Sequence, residues 1–235
     1  SGVRLTSARV SGTSTYTGPT VVSGNEVTFV TGSVATSPFL LESFSGLIGS
    51  GIVGAVTATT YSGPYSISPA TSYDYQGAGS AVFTLGGMTL GSGRKVRLEI
   101  AGGTPGAGYD QLQVNGPVDL GADAILELSL SYLPAQGQVF ILVSNDGIDP
   151  VVGTFSGFPE GAAFKLSNHD FEISYVGGDG NDIVLTCVGL AKTWTGAVSN
   201  VWSVAGNWAG GVPVAGDIVA FPTSGSNQTN VNDLS

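Results

Sequence analysis

The sequence predicts an all-β protein, and three observations carry that prediction. Apolar and polar residues alternate over several short runs, the period of a strand with one buried face. Glycine is abundant, at 37 of 235 residues, and it clusters between those runs. Only 10% of residues are charged, against about 25% in an ordinary soluble domain. The Glu, Lys and Arg that favour long helices are therefore scarce.

The clearest strands lie in the middle of the chain. From Lys95 to Ile100, Val96, Leu98 and Ile100 point one way, and Lys95, Arg97 and Glu99 the other. From Ile125 to Leu130, Leu126, Leu128 and Leu130 face inward while Glu127 and Ser129 face outward. Phe171 to Tyr175 repeats the pattern. Val139 to Val143 is apolar throughout, which predicts cover on both faces. Between these runs sit Gly86-Gly87, Gly102-Gly103, Asn115-Gly116, Asp146-Gly147 and Gly177 to Gly180. Such positions suit tight turns. No segment repeats apolar residues at helical spacing, so almost no helix is expected.

Strand spacing alone fits a sandwich, a barrel or a solenoid. Two features favour the solenoid. Its turns are dominated by Gly, Thr, Ser and Asn, without long polar loops. Its outward positions are small and polar, as expected where coils stack at about 4.8 Å. A β-sandwich is the alternative.

The chain is long enough, and at 42% hydrophobic apolar enough, to bury a sizeable core. Its net charge is −10 with seven basic residues, so nucleic acid is not an expected partner. No run approaches the roughly 20 apolar residues of a membrane helix, so the chain is not expected to span a membrane. Cys187 is the only cysteine. It cannot form an internal disulfide and is expected to behave as a small buried apolar residue. The chain opens at Ser1 and closes at Ser235 inside strand-like patterns, and reads as a segment of something longer. Open terminal coils would promote end-to-end stacking with copies of itself.

The run Gly12 to Val22, with Tyr16-Thr17-Gly18-Pro19-Thr20 at its centre, resembles the autotransporter-associated β-strand repeat of bacterial surface proteins. Gly24 and the strand Val27 to Val30 follow as that pattern asks. Leu47-Ile48-Gly49-Ser50-Gly51-Ile52-Val53-Gly54 is similar to a rung of the same family. Ile67-Ser68-Pro69 follows, with Ala70 where the family carries glycine. Gly108 to Gly116, Gly153 to Phe155, Pro159 to Ala162 and Tyr175 to Thr186 resemble blocks that accompany the repeat. After Gly189 the pattern restarts with Trp194, Trp202, Trp208 and Pro213 to Phe221. The expected organisation is a solenoid over 1–188 and the start of a further β module over 189–235. The resemblance implies a right-handed parallel β-helix in an exported passenger or surface fibre, extracellular and outer-membrane associated. Its implied role is structural or adhesive, without catalysis. Its partners would be copies of itself or neighbouring repeats of the same polypeptide, with cell-surface glycans as a further class.

Few residues invite chemistry. His169 lies in Asn168-His169-Asp170 and reads as a solvated or turn-bonding loop residue. Arg94, Lys95 and Arg97 form the one basic cluster and read as a solvated outward face. Gly177 to Leu185 fits one copy of a nonapeptide that binds calcium when repeated. Asp179 and Asp182 are its candidate ligands, against the simpler reading of a glycine turn with Asp182 bonding its own backbone. Trp194, Trp202 and Trp208 are candidate carbohydrate contacts, against the simpler reading of an apolar cap. Asn227-Gln228-Thr229 is a formal glycosylation sequon, uninformative in a bacterial protein.

Overall fold

The computed structural model describes residues 2–61, 63–73, 79–167, 169–190, 192–215, 217, 219–221 and 229–234. Asn168, Asn227, Gln228, Ser1 and Ser235 lie outside the described residues. The chain forms two compact units. One comprises Ser1–Leu133, Val139–Ala162 and Ile173–Leu185, the other Pro134–Gln138, Ala163–Glu172 and Thr186–Ser235.

The first unit is all-β, with parallel sheets. Its chain opens with β1 (Val3–Leu5) and β2 (Ala8–Val10), then advances in triplets. These are β3 (Thr20–Val22), β4 (Glu26–Val30) and β5 (Ser33–Val34); β6 (Phe39–Leu41), β7 (Ser45–Gly49) and β8 (Ile52–Val53). Next come β9 (Val56–Ala58), β10 (Ile67–Pro69) and β11 (Val82–Leu85), then β12 (Met88–Leu90), β13 (Lys95–Ile100) and β14 (Gln111–Val114). The last triplet is β15 (Val118–Asp119), β16 (Ile125–Leu130) and β17 (Val139–Asn145). Each triplet contributes one strand to each of three sheets. The orders are β1-β3-β6-β9-β12-β15, β2-β4-β7-β10-β13-β16 and β5-β8-β11-β14-β17. The third sheet then takes in β20 (Asp182–Leu190) and β19 (His169–Gly177).

The pairing puts like residues over like. In the second sheet, Thr28, Leu47, Ile67, Val96 and Leu126 form one buried column. The steps along it are 19, 20, 29 and 30 residues. The sequence spacing between paired strands of this sheet therefore lengthens between the third and fourth rows. Tyr73, in the added chain, and Tyr65, which precedes β10, pack on a cluster of Val27, Phe29, Ile48 and Ala70 and cover the outer face of that sheet. That cover explains why β4 and β7 are apolar on both faces and lack alternation.

Alternation holds where one face is open. Strand β13 alternates half-buried and buried residues throughout, as its sequence predicts. Val139 departs from the expected two-sided cover, being 49% exposed. Arg94 departs further, because it is fully buried rather than solvated. Its guanidinium donates to the carbonyls of Ser45 (2.6 Å), Thr59 (3.1 Å), Glu42 (3.2 Å) and Leu41 (3.3 Å) and lies 4.4 Å from the Tyr61 ring centroid. Carbonyls gathered from two earlier rows surround the side chain and hold it inward. Burial lowers its pKa to about 10, so it stays charged at neutral pH.

The second unit holds β18 (Ala163–Leu166), which pairs antiparallel with the start of β19. It also holds β21 (Lys192–Trp194), β22 (Trp208–Ala209) and β23 (Val219–Ala220). Strand β21 pairs antiparallel with β22 and parallel with β23. Among the described residues the one helical element is a 3-10 turn at Ala205–Asn207. None of their helices is long and apolar enough to cross a membrane.

Corners between rows are tight. A Cβ on Gly32 would lie 2.1 Å from the carbonyl oxygen of Gly12, and one on Gly51 would lie 2.2 Å from that of Gly32. Only glycine allows this approach. Gly51→Ala is expected to cost about 1–3 kcal/mol in urea unfolding. Gly12→Ala, with nothing within 4 Å of the added carbon, should stay within about 0.5 kcal/mol of the parent.

Candidate functional site

The three tryptophans gather in the second unit, on β21, β22 and the loop between them. Trp194 and Trp208 are buried, at 2% and 6% exposure. Their rings meet edge to face, with centroids 4.9 Å apart. Trp202 packs on Trp208 at 5.2 Å and on Phe221 at 5.5 Å. This geometry suits an apolar cluster. Two of the indoles are anchored: Trp208 Nε1 donates to Trp202 O at 2.7 Å, and Trp202 Nε1 to Asn230 Oδ1 at 2.8 Å.

The residue before Trp208 holds this loop. Asn207 is fully buried. Its Oδ1 accepts from the backbone N–H groups of Val198 (2.9 Å) and Ser199 (2.8 Å). Its Nδ2 donates to Ser199 Oγ and Val201 O, both at 2.8 Å. One carboxamide thus satisfies a loop that has little ladder of its own. The Asn207-Trp208 pair was the available signal.

Trp202 alone keeps a half-exposed face. It lines an open groove of about 660 Å³ with Pro213, Val214, Asp217, Asn232 and Asp233. Asp233 is committed to the backbone N–H and hydroxyl of Ser203 at 2.9 and 2.7 Å, which lower its pKa. Asp217 accepts from the Val214 N–H at 2.9 Å. The groove therefore offers one aromatic face beside carboxylates.

The glycine turn is built differently from either reading of the sequence. Asp179 is exposed and Asp182 is buried. Asp182 does not bond its own backbone through Oδ1. That oxygen accepts the Asn145 N–H, across the sheet at 2.8 Å. Burial raises the Asp182 pKa, and the Asn145 bond opposes the rise. Among the described residues, no three His, Cys, Asp or Glu side chains gather to hold a metal ion.

His169 also departs from expectation. It opens β19 rather than lying in a solvated loop. It is 5% exposed, and neither ring nitrogen has a hydrogen-bond partner. Burial lowers its pKa. Pairing opposite Leu166 places the ring in the strand. Cys187 is buried in β20, and burial raises its thiol pKa, the opposite of an activated nucleophile. Lys95 pairs with Glu127 at 2.7 Å. With Arg94 turned inward, the basic cluster is divided.

Burial perturbs the Asp110 carboxyl strongly. It is 1% exposed. It accepts the Ala81 and Glu99 N–H groups at 2.9 and 2.8 Å, tying β11 and β13 to the turn between β13 and β14. Burial pushes its pKa up to about 7 against those bonds. The role is structural: the carboxylate closes two backbone donors.

No family profile, no curated protein and no solved structure matches this chain.

The Asp110 shift fixes a sign. Its folded-state pKa lies above the unfolded one, so its proton-linked stabilisation is complete below about pH 4 and lost as pH rises through about 7. The melting temperature should fall over that interval. Asp110→Asn should flatten the fall, as read by thermal melts at several pH values.

Proposed function

We propose that this chain is a structural or adhesive segment of a secreted or cell-surface bacterial fibre or autotransporter passenger, built on a right-handed parallel β-helix. One observation carries the reading. Five successive triplets visit the same three sheets in the same order, each row in parallel register on the last. A sandwich has no need of that order, and a helical stack requires it.

The family-like rung Leu47 to Gly54 gives physical support. It spans β7, a tight corner and β8. Gly49 and Gly51 sit where a Cβ would lie 1.9 Å and 2.2 Å from carbonyl oxygens of the row before. A motif of that form answers a stacking requirement rather than a chemical one. We assign no catalysis, and we place the protein at the bacterial surface, associated with the outer membrane. Its partners in this reading are further repeats of its own polypeptide and other copies, stacked end to end.

Two measurements test this. Antibodies against the chain should label intact producing cells. Labelling only after lysis contradicts surface placement. Light scattering should show apparent mass rising with concentration, and a strict monomer at high concentration removes the end-to-end assembly.

The groove at Trp202 favours a second reading, a carbohydrate-binding module. In that case glycan-array binding disappears in Trp202→Ala while the circular dichroism spectrum is kept. An array silent for the parent protein excludes it.

A further inference from the structure

One group of buried atoms has no role in the stack. Asn145 Oδ1, Asp149 Oδ2 and Asn181 Oδ1 are all buried without a hydrogen-bond donor. Asn145 and Asn181 are only 3% and 4% exposed. The three residues form one cluster. Asn145 Nδ2 donates to Asp149 O at 2.8 Å, and Asn181 Nδ2 donates to the same carbonyl at 3.1 Å and to Asp146 O at 3.2 Å. Each carboxamide thus turns its nitrogen onto shared carbonyls and leaves its oxygen in buried space.

The position is as unusual as the bonding. Asn145 stands opposite Val114, which continues the column of Val34, Val53 and Leu85. Those four are buried. A polar side chain in an apolar column is costly unless something partners its oxygen. The surroundings are also acidic. Asp182 binds the Asn145 N–H, and Asp146 and Asp179 lie on the flanking turns. Among the described residues, no lysine or arginine forms an ion pair with any of these four aspartates. These oxygens call for a donor or a cation. A water would satisfy them but leave the charge, and a cation would meet both.

We propose that Asn145, Asp149 and Asn181, backed by Asp182, hold a divalent cation of the calcium class between the loop after β17 and the turn before β20. Mixed carboxylate and amide oxygens, without nitrogen or sulfur donors, select a hard cation. A glycine-containing loop such as Asp146 to Asp149 suits the irregular coordination of calcium better than the strict octahedron of magnesium. The exposed Asp179 stays outside, so this is not the nonapeptide site read from the sequence. The proposal is independent of the surface-fibre reading.

Calorimetric titration of the chelator-treated full chain with calcium chloride, beside thermal melts, tests it. Saturable calcium binding and a rise in melting temperature are expected, with magnesium weaker. The near-isosteric Asp149→Asn should weaken calcium binding about tenfold or more, and Asp179→Asn should leave it unchanged. No heat and no melting shift in the parent overturns the proposal and leaves water as the partner. Binding that survives Asp149→Asn overturns it too, and its loss in Asp179→Asn would move the ion to the exposed turn.

Discussion

Everything in the first unit follows from one constraint: each row must return its backbone to hydrogen-bond with the row before, in register. Strands in such ladders lie about 4.8 Å apart, so every side chain meets its counterpart above and below. Apolar residues then gain from stacking on apolar ones, as Leu47, Ile67, Val96 and Leu126 do. Like charges placed directly opposite are destabilising. The pairing of Arg97 with Glu127 and of Glu99 with Ser129 avoids that. A chain with 10% charged residues is what such columns tolerate. Corners obey the same rule: Gly32 and Gly51 lie so close to the row before that nothing larger fits.

The constraint is strained where the circuit lengthens. Rows of 19 and 20 residues give way to rows of 29 and 30, and carbonyls of the earlier rows gather at one point. Arg94 meets them with one planar guanidinium, reaching Leu41, Glu42, Ser45 and Thr59 and resting on Tyr61. A buried charge is expensive unless it is bonded, and this one is shared among carbonyl dipoles rather than paired with an anion, with Nε left without a hydrogen-bond partner. Its fixed fork of donors suits several acceptors at once.

How much of this was legible in the sequence depended on whether the cause was local. Strands β13 and β19 announced themselves because one face is open and period-2 alternation survives. Strands β5 and β8 did not, since two residues cannot show a period. The row length did not either, because it changes midway. Arg94 misled because its neighbours Lys95 and Arg97 suggest a solvated face, while its partners lie 35 to 53 residues away. His169 misled for the same reason, its burial depending on strand pairing. The tryptophans were visible as a group, but their sequence could not divide Trp194 and Trp208, which are buried, from Trp202, which keeps an open face. The polar cluster around Asn145 was not visible as a cluster, because it exists only when Asn181 and Asp182 come against the end of β17 and the loop after it.

The central claim is the parallel register itself. Thr57 and Thr89 are exposed and stand directly opposite on β9 and β12, although 32 residues separate them. Nitroxide labels on cysteines at these two positions, in a Cys187→Ser background, read that register by continuous-wave electron spin resonance. The stack predicts a spectrum strongly broadened by spin–spin interaction in the double-labelled protein. A spectrum equal to the sum of the two single-labelled proteins would contradict it.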